Sequence, residues 1–490
     1  MKLKKGLSTF ICLALVLSNV ATFAAPAASA ESFSENTQVE SRNLKQANIA
    51  AIDAMPQLPA QAKIIDWRTR GIALDNFLFD WDWQNTLGRE MPTIFQDTKY
   101  GGFLIPSYYG DTRAINNPDQ QESITTMGAL LGGTLLGNRK DIQNPNGIAG
   151  ETYLDSVKKF YWKNDGVFTN FPNGSSSTAA YNDFWYLLLS NENFFRLASL
   201  YPDWDTQEVR TMQRTIADKL CDMVDIQGGA NVNLAIQAFN FQTMQAQGTS
   251  WKQPDAAAGV AVILYYAYKI FGEQKYLTYA EYCMDFLQKQ TDNPYYENLL
   301  VDASYVATRM NAEAGTHYDA SKYLDWITNT NSTVRNWGGI SYNQDGRDIS
   351  GLTGEARSSR LYAFFMNSVY PIASILPTAK YDPSYAKAAG RWALNIVNST
   401  RYFLPSELGA ENQSNPEFKG KPEEDTLAYE GFKKYSEPGN DGPNVTNAIH
   451  FMGTGDAMMN ATTGWLAGAD VTNAGIYGSV YTEFLGALVE

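Results

Sequence analysis

Residues 254–271 read PDAAAGVAVILYYAYKIF, and this run decides the fold class. It is apolar almost all the way round a helical wheel, so a helix built from it must be buried on more than one side. Pro254 and Asp255 mark its start. A proline in a first turn gives up a donor that has no partner there, and the carboxylate meets the positive end of the helix. Ala256 to Gly259 are small and allow another group to come close. The patterns on either side, 206–225 and 273–290, are amphipathic with charged faces. One enveloped helix between two surface helices implies two layers.

The same alternation extends along the chain. Helical patterns lie at 119–136, 181–200, 295–312, 319–328, 359–376 and 383–399, several with apolar residues at three- and four-residue spacing. The prediction is an all-α fold, an (α/α)6-type toroid of inner and outer helices with minor β structure. No short repeat favours a solenoid. The connections 97–118, 162–180, 329–358 and 400–448 are long and rich in glycine, asparagine, aspartate and tyrosine. Connections of that length are functional or disordered, and their aromatic and glycine density favours ordered, functional loops.

The chain opens MKLKKGLSTFICLALVLSNVATFAAPAASAE. A cationic start, a short apolar run and Ala28-Ser29-Ala30 form a secretory signal peptide, residues 1–30, with cleavage near Ala30 and an extracellular product. Residues 31–60 are polar and read as a mobile or loosely docked segment. From Trp67 onward no linker interrupts the aromatic-rich sequence, so 61–490 reads as one domain. No later run is long and apolar enough to span a bilayer. Removing Lys2, Lys4 and Lys5 takes the formal charge from −14 to −17. So acidic a surface repels nucleic acid and uronate polymers and suits a neutral substrate. Cys221 and Cys283 could be buried thiols or one disulfide. Two histidines, with no HExxH and no CxxC, predict neither metal nor cofactor.

A signal peptide, a succession of helical hairpins over most of residues 61–490 and aromatic-rich loops resemble the six-hairpin toroid glycoside hydrolases and the related (α/α) polysaccharide lyases. The resemblance implies a carbohydrate-active enzyme acting on a polysaccharide or oligosaccharide, and a monomer is expected. It carries no catalytic residue over by motif.

Those residues are read from chemistry. Glycoside hydrolysis needs two carboxyl groups, one protonated to donate to the leaving oxygen and one ionised. Aromatic, partly desolvated surroundings keep the donor protonated. Asp255 stands at the mouth of the most buried helix, with Trp251 before it. Asp183, in AAYNDFWYLLL, is framed by Tyr181, Phe184 and Trp185 at another helix start, where a plain dipole-compensating acid is the alternative. Glu313, in RMNAEAGTHYD, is either the i,i+4 partner of Arg309 or part of a polar cluster ending near His317. In NWGGISYNQDGRDISGLTGEARS (336–358), Asp345 is explained by its Asp-Gly turn and Glu355 by a helix start, which leaves Asp348. The expected catalytic set is therefore Asp255, Asp348 and Glu313, with Asp183 in reserve. Trp251, Trp337, Tyr342 and Trp185 are the expected sugar-stacking rings, with Arg309 and His317 as further substrate contacts. Two other readings stand beside hydrolysis. One is β-elimination, with Tyr305 or Tyr318 as base beside Arg309 and His317. The other is a non-catalytic glycan-binding envelope protein.

Overall fold

A computed structural model describes residues 44–63, 67–81, 94–105, 121–147, 150–340, 343–344, 347–357, 360–404, 407 and 430–431. Twelve of its helices carry the argument: α1 Ala50–Asp53, α2 Trp67–Leu78, α3 Ser123–Leu135, α4 Phe184–Leu200, α5 Thr206–Ile226, α6 Ala256–Phe271, α7 Gln274–Gln288, α8 Asp302–Ala314, α9 Ala320–Thr328, α10 Phe365–Val369, α11 Ile372–Tyr381 and α12 Ala386–Ser399. Four strands form one antiparallel sheet: β1 Trp337–Ile340, β2 Leu352–Arg357, β3 Arg360–Phe364 and β4 Glu430–Gly431, in spatial order β4-β3-β2-β1.

The helices form two layers, as the opening run predicts. The inner series packs in the order α2, α3, α4, α6, α8, α11. Trp67, first residue of α2, meets Phe365 at 6.0 Å between ring centroids, and so joins the start of that series to α10, the short helix that leads into α11. Outside it, α7 packs on α6, α9 on α8 and α12 on α11, while α5 covers α6 and α7. α6 is buried from Ala256 to Tyr265, and Gly259 lets it approach Leu299 and Leu188: a Cβ there would lie 2.8 Å from Leu299 Cδ2.

Link lengths give the inner helices a common direction. α4–α5, α6–α7, α8–α9 and α11–α12 are joined by 201–205, 272–273, 315–319 and 382–385. Five residues reach at most about 18 Å, less than the roughly 25 Å length of a 17-residue helix such as α4. Each pair is therefore a hairpin. The long returns, 227–255, 289–301 and 329–371, all arrive at the N-termini of inner helices. The molecule has a short-link end and a long-connection end, and the long one carries the strands.

The ring's interior holds charge. Glu192 and Arg196 of α4 pair with each other and with Asp302 of α8, Arg196 Nη2 lying 3.2 Å from Asp302 Oδ1, and Ser374 of α11 donates to the same oxygen at 2.7 Å. Three inner helices are thus pinned by one buried ion cluster.

The structure corrects four sequence expectations about the fold. The helix predicted at 359–376 begins as strand β3, then breaks into α10 and α11. The one predicted at 295–312 starts only at Asp302. Much of the 336–358 connection is sheet: β1 pairs β2 with Gly338 opposite Gly354 and Trp337 opposite Glu355. Part of the stretch read as mobile or loosely docked is firmly held. Ile49, Ile52 and Met55 are buried, Arg391 donates to Asp53 O at 2.8 Å, and Asn395 donates to Pro56 O at 2.9 Å. Its apolar residues are few, but they meet α9 and α12 together.

Candidate active site

The candidate site lies at the long-connection end, where the N-termini of α4 and α6 meet the 289–301 return and the sheet. Asp183 precedes α4 but does not cap it. Gln253 caps it instead: its Oε1 accepts from Trp185 N at 3.0 Å, while its Nε2 donates to Asp183 Oδ1 at 2.8 Å. Trp251 Nε1 donates to the same carboxylate oxygen at 2.8 Å. The Trp251 indole is 41 % exposed, so its position is fixed through its nitrogen while ring surface stays open. Burial pushes the Asp183 carboxyl above the usual range; the two donors and the Arg335 charge oppose this without cancelling it.

Asp255 precedes α6 and is buried. Its Oδ2 accepts from Tyr296 N at 3.0 Å, and its Oδ1 has no hydrogen-bond partner among the described residues. Burial pushes this carboxyl up to about 8, with the Glu297 charge adding to the shift. Asp255 thereby holds the backbone of Tyr296, next to Glu297. Glu297 has φ 56, a left-handed conformation that a non-glycine residue adopts at a cost of about 1–3 kcal/mol. Arg335 shares that strain at φ 57. Burial pushes Glu297 up to about 7 against the pull of the Arg335 charge and the Asn367 amide, which donates to its Oε2 at 3.1 Å. Arg335 pairs with Glu355 of β2 and lies 3.5 Å from the Tyr296 hydroxyl. Strain, burial and charge thus converge on Asp183, Asp255, Glu297, Arg335 and Glu355.

The other expected residues fall elsewhere. Glu313 accepts from the Tyr265 hydroxyl at 2.7 Å and pairs with Lys269 at 3.0 Å. Tyr265 is ten residues past Asp255, about 15 Å along the helix, so Glu313 belongs to the short-link end. Against some burial, the Tyr265 hydroxyl and then the Lys269 and Arg309 cations hold its carboxyl below the usual range. Arg309 sits among Tyr265, Tyr305 and Tyr381, at 5.3, 5.7 and 5.4 Å from their rings, and His317 is exposed in the 315–319 link. Asp348 accepts from Ser350 N at 3.1 Å and lies in the electrostatic reach of Tyr402, beside α12. No described interaction joins it to Asp255. Trp337 is fully buried, stacked on Phe364 at 5.4 Å and edge-on to Tyr296 at 5.7 Å, so it supports the site from behind. Trp185 is buried against Tyr186. Tyr342 lies outside the described residues.

Glu297 and Arg335 escaped the sequence reading. Tyr295, Tyr296, Leu299 and Leu300 are spaced like one face of a helix, which placed Glu297 in a helix interior. The available signal was Asn293-Pro294, a turn-forming pair just before it. Among the described residues no group of three or more His, Cys, Asp or Glu could hold a metal ion, and no helix is long and apolar enough to cross a membrane. Cys221 and Cys283 are buried free thiols.

No family model matches the sequence, and no curated protein does. Among solved structures, the chain resembles (α/α)6 toroid carbohydrate enzymes. A D-mannose isomerase is similar at 11% identity and TM-score 0.44, over 83% of this chain and 99% of that one. A family 76 glycoside hydrolase from a bovine Bacteroides thetaiotaomicron strain is similar at 9% identity and TM-score 0.43, over 82% of this chain and 78% of that one.

Proposed function

We propose that the protein is a secreted glycoside hydrolase that cleaves a neutral polysaccharide by general acid/base catalysis, with Glu297 as proton donor and Asp183 as its ionised partner. The observation that carries this reading is the convergence of carboxyl groups beside an exposed indole at the long-connection end, one of them held near neutrality. Glu297 at about 7 keeps a proton to give at working pH, which is where a general acid is most effective. Its proton passes to the glycosidic oxygen as the bond from that oxygen to the anomeric carbon breaks. Asp183, fixed by two neutral donors, accepts the proton of the water molecule whose hydroxyl forms the new bond to that carbon. Trp251 offers the ring surface on which a sugar face packs. Asp255 is a positioning residue: it acts through Tyr296 N on the strained backbone at Glu297.

The elimination reading has less support. Its base candidates, Tyr305 and Tyr318, sit with Arg309 and His317 away from this cluster, and burial pushes the Tyr318 phenol up, making it a poor base.

The test is a panel of neutral and acidic polysaccharides, with reducing ends and ultraviolet absorbance followed together. Neutral substrates release reducing ends without absorbance, and Glu297→Gln lowers the rate by about 10²- to 10⁴-fold. Full activity in Glu297→Gln, or products that absorb in the ultraviolet, sinks the proposal. Secretion is checked by sequencing the N-terminus of the protein recovered from culture medium, which is expected to begin near residue 31.

A further inference from the structure

A second concave site lies by the N-terminus of α3, outside the carboxyl cluster. It is a cleft of about 280 Å³, close to the roughly 300 Å³ lower bound of small-ligand sites. Phe95, Tyr100, Phe171 and Pro172 give it apolar walls, and Gln121 and Ser175 add polar groups.

The cleft is built on a rigid base. Asp97 Oδ1 accepts from the backbone of Lys99 and Tyr100 at 3.0 and 2.9 Å. Its Oδ2 accepts from Gln121 Nε2 at 2.8 Å and Lys159 Nζ at 2.9 Å. That carboxylate is fully engaged and its charge is matched by a buried lysine. The opposite wall is tied to α3 through Ser123 N, which donates to Asn170 O at 2.9 Å, and to the Trp162 ring nitrogen, which donates to Phe171 O at 3.0 Å.

One group is left over. Gln121 is only 4 % exposed and spends its amide nitrogen on Asp97, while its Oε1 has no partner among the described residues. A buried acceptor without a donor is costly unless a ligand or water supplies one. The cleft therefore suits a molecule with apolar faces to lie on Phe171 and Tyr100, and the Gln121 Oε1, buried just beneath the wall, needs only a small side-chain shift to accept from a hydroxyl of that molecule. With the local carboxylate already neutralised, no counter-charge is required. A neutral hexose unit has all of these properties.

We infer that this cleft is a second carbohydrate-binding site, holding a neutral hexose unit of the glycan. The inference rests on the reading of the protein as a glycan-active enzyme. Gln121 lies two residues before the start of α3 and Asp183 one before α4, so the cleft and the carboxyl cluster belong to the N-termini of adjacent inner helices.

The experiment is calorimetric titration of the Glu297→Gln protein with maltohexaose, mannohexaose and cellohexaose, and with hexagalacturonate for comparison. At least one neutral hexaose is expected to bind. Phe171→Ala and Gln121→Met, each added to Glu297→Gln, are expected to weaken it by about tenfold. Phe171 is half-buried at the cleft wall, and unchanged circular dichroism and melting of each variant confirm the fold. Unaltered affinity in both variants, no binding of any neutral hexaose, or binding of hexagalacturonate alone overturns the site. Hexaose binding that depends on Phe171, with no reducing ends released by the unmutated protein, keeps the cleft and sinks the hydrolase reading.

Discussion

Asp255 shows how one carboxyl changes meaning with its surroundings. At a helix start the sequence offers two readings, dipole compensation or catalysis. In the fold the group is buried and raised to about 8, so at neutral pH it is largely protonated. The unfolded value is near the ordinary 3.9, so the folded state binds the proton more tightly. Stability from this group is fully present below about pH 4 and is lost as pH rises through 8. Glu297, raised to about 7, adds a parallel loss. Asp255→Asn mimics the protonated acid and can still accept from Tyr296 N. It is expected to be more stable than the native protein at pH 8 and to flatten the decline in urea-unfolding free energy between pH 5 and 8. An unchanged pH slope refutes the assignment. For catalysis the sign is the same: a Glu297 donor predicts a rate that falls as pH rises through about 7.

At the scale of elements, the sheet is where the sequence misled. NWGGISYNQDGRDISGLTGEARS has the glycines and polar residues of a loop, yet it supplies the whole of β1 and β2. The glycines serve close approach. Gly338 has φ +152, and a Cβ there would fall 1.8 Å from Asn329 O; at Gly339 it would fall 2.6 Å from Thr328 O. Only a side-chain-free strand can lie against the backbone that leaves α9. Gly338→Ala is expected to cost about 2 kcal/mol or more, read from urea unfolding, and to lower activity by displacing Arg335, three residues before it. Asp348 was singled out within this stretch because turn and helix starts explained its neighbours. Once the stretch is sheet, Glu355 takes the more telling position, facing Trp337 across β2 and β1 and pairing with Arg335. Propensity could not show this, because strand identity here comes from pairing partners and not from the residues themselves.

At the scale of the molecule, the inner helices share a direction, and that decides which candidates can meet. Asp183 and Asp255, far apart in sequence, become neighbours of one site because both precede inner helices. Glu313 and Arg309, near the end of an inner helix, fall at the short-link end. The N-terminal stretch belongs to the same body: Ile52 is fully buried against the outer layer. Ile52→Ala is expected to cost about 2–5 kcal/mol, whereas a loosely held segment would leave the unfolding free energy within about 0.5 kcal/mol of the native value.

The sequence by itself determined the two-layer helical frame, the acidic surface, the long connections and two of the acids at the site. These are local or periodic properties: the all-round apolarity of 254–271, the charged faces beside it and the Pro-Asp start are visible in any window of the chain. Only the tertiary structure decided which acids share a site. It turned a helix-like stretch into the return that carries Glu297, and by pairing β1 with β2 it brought Glu355 to Arg335, whose charge acts on Glu297. Raised carboxyl values, strained backbone and an unpartnered buried acceptor arise when segments distant in the chain exclude water together, and no local pattern records that event.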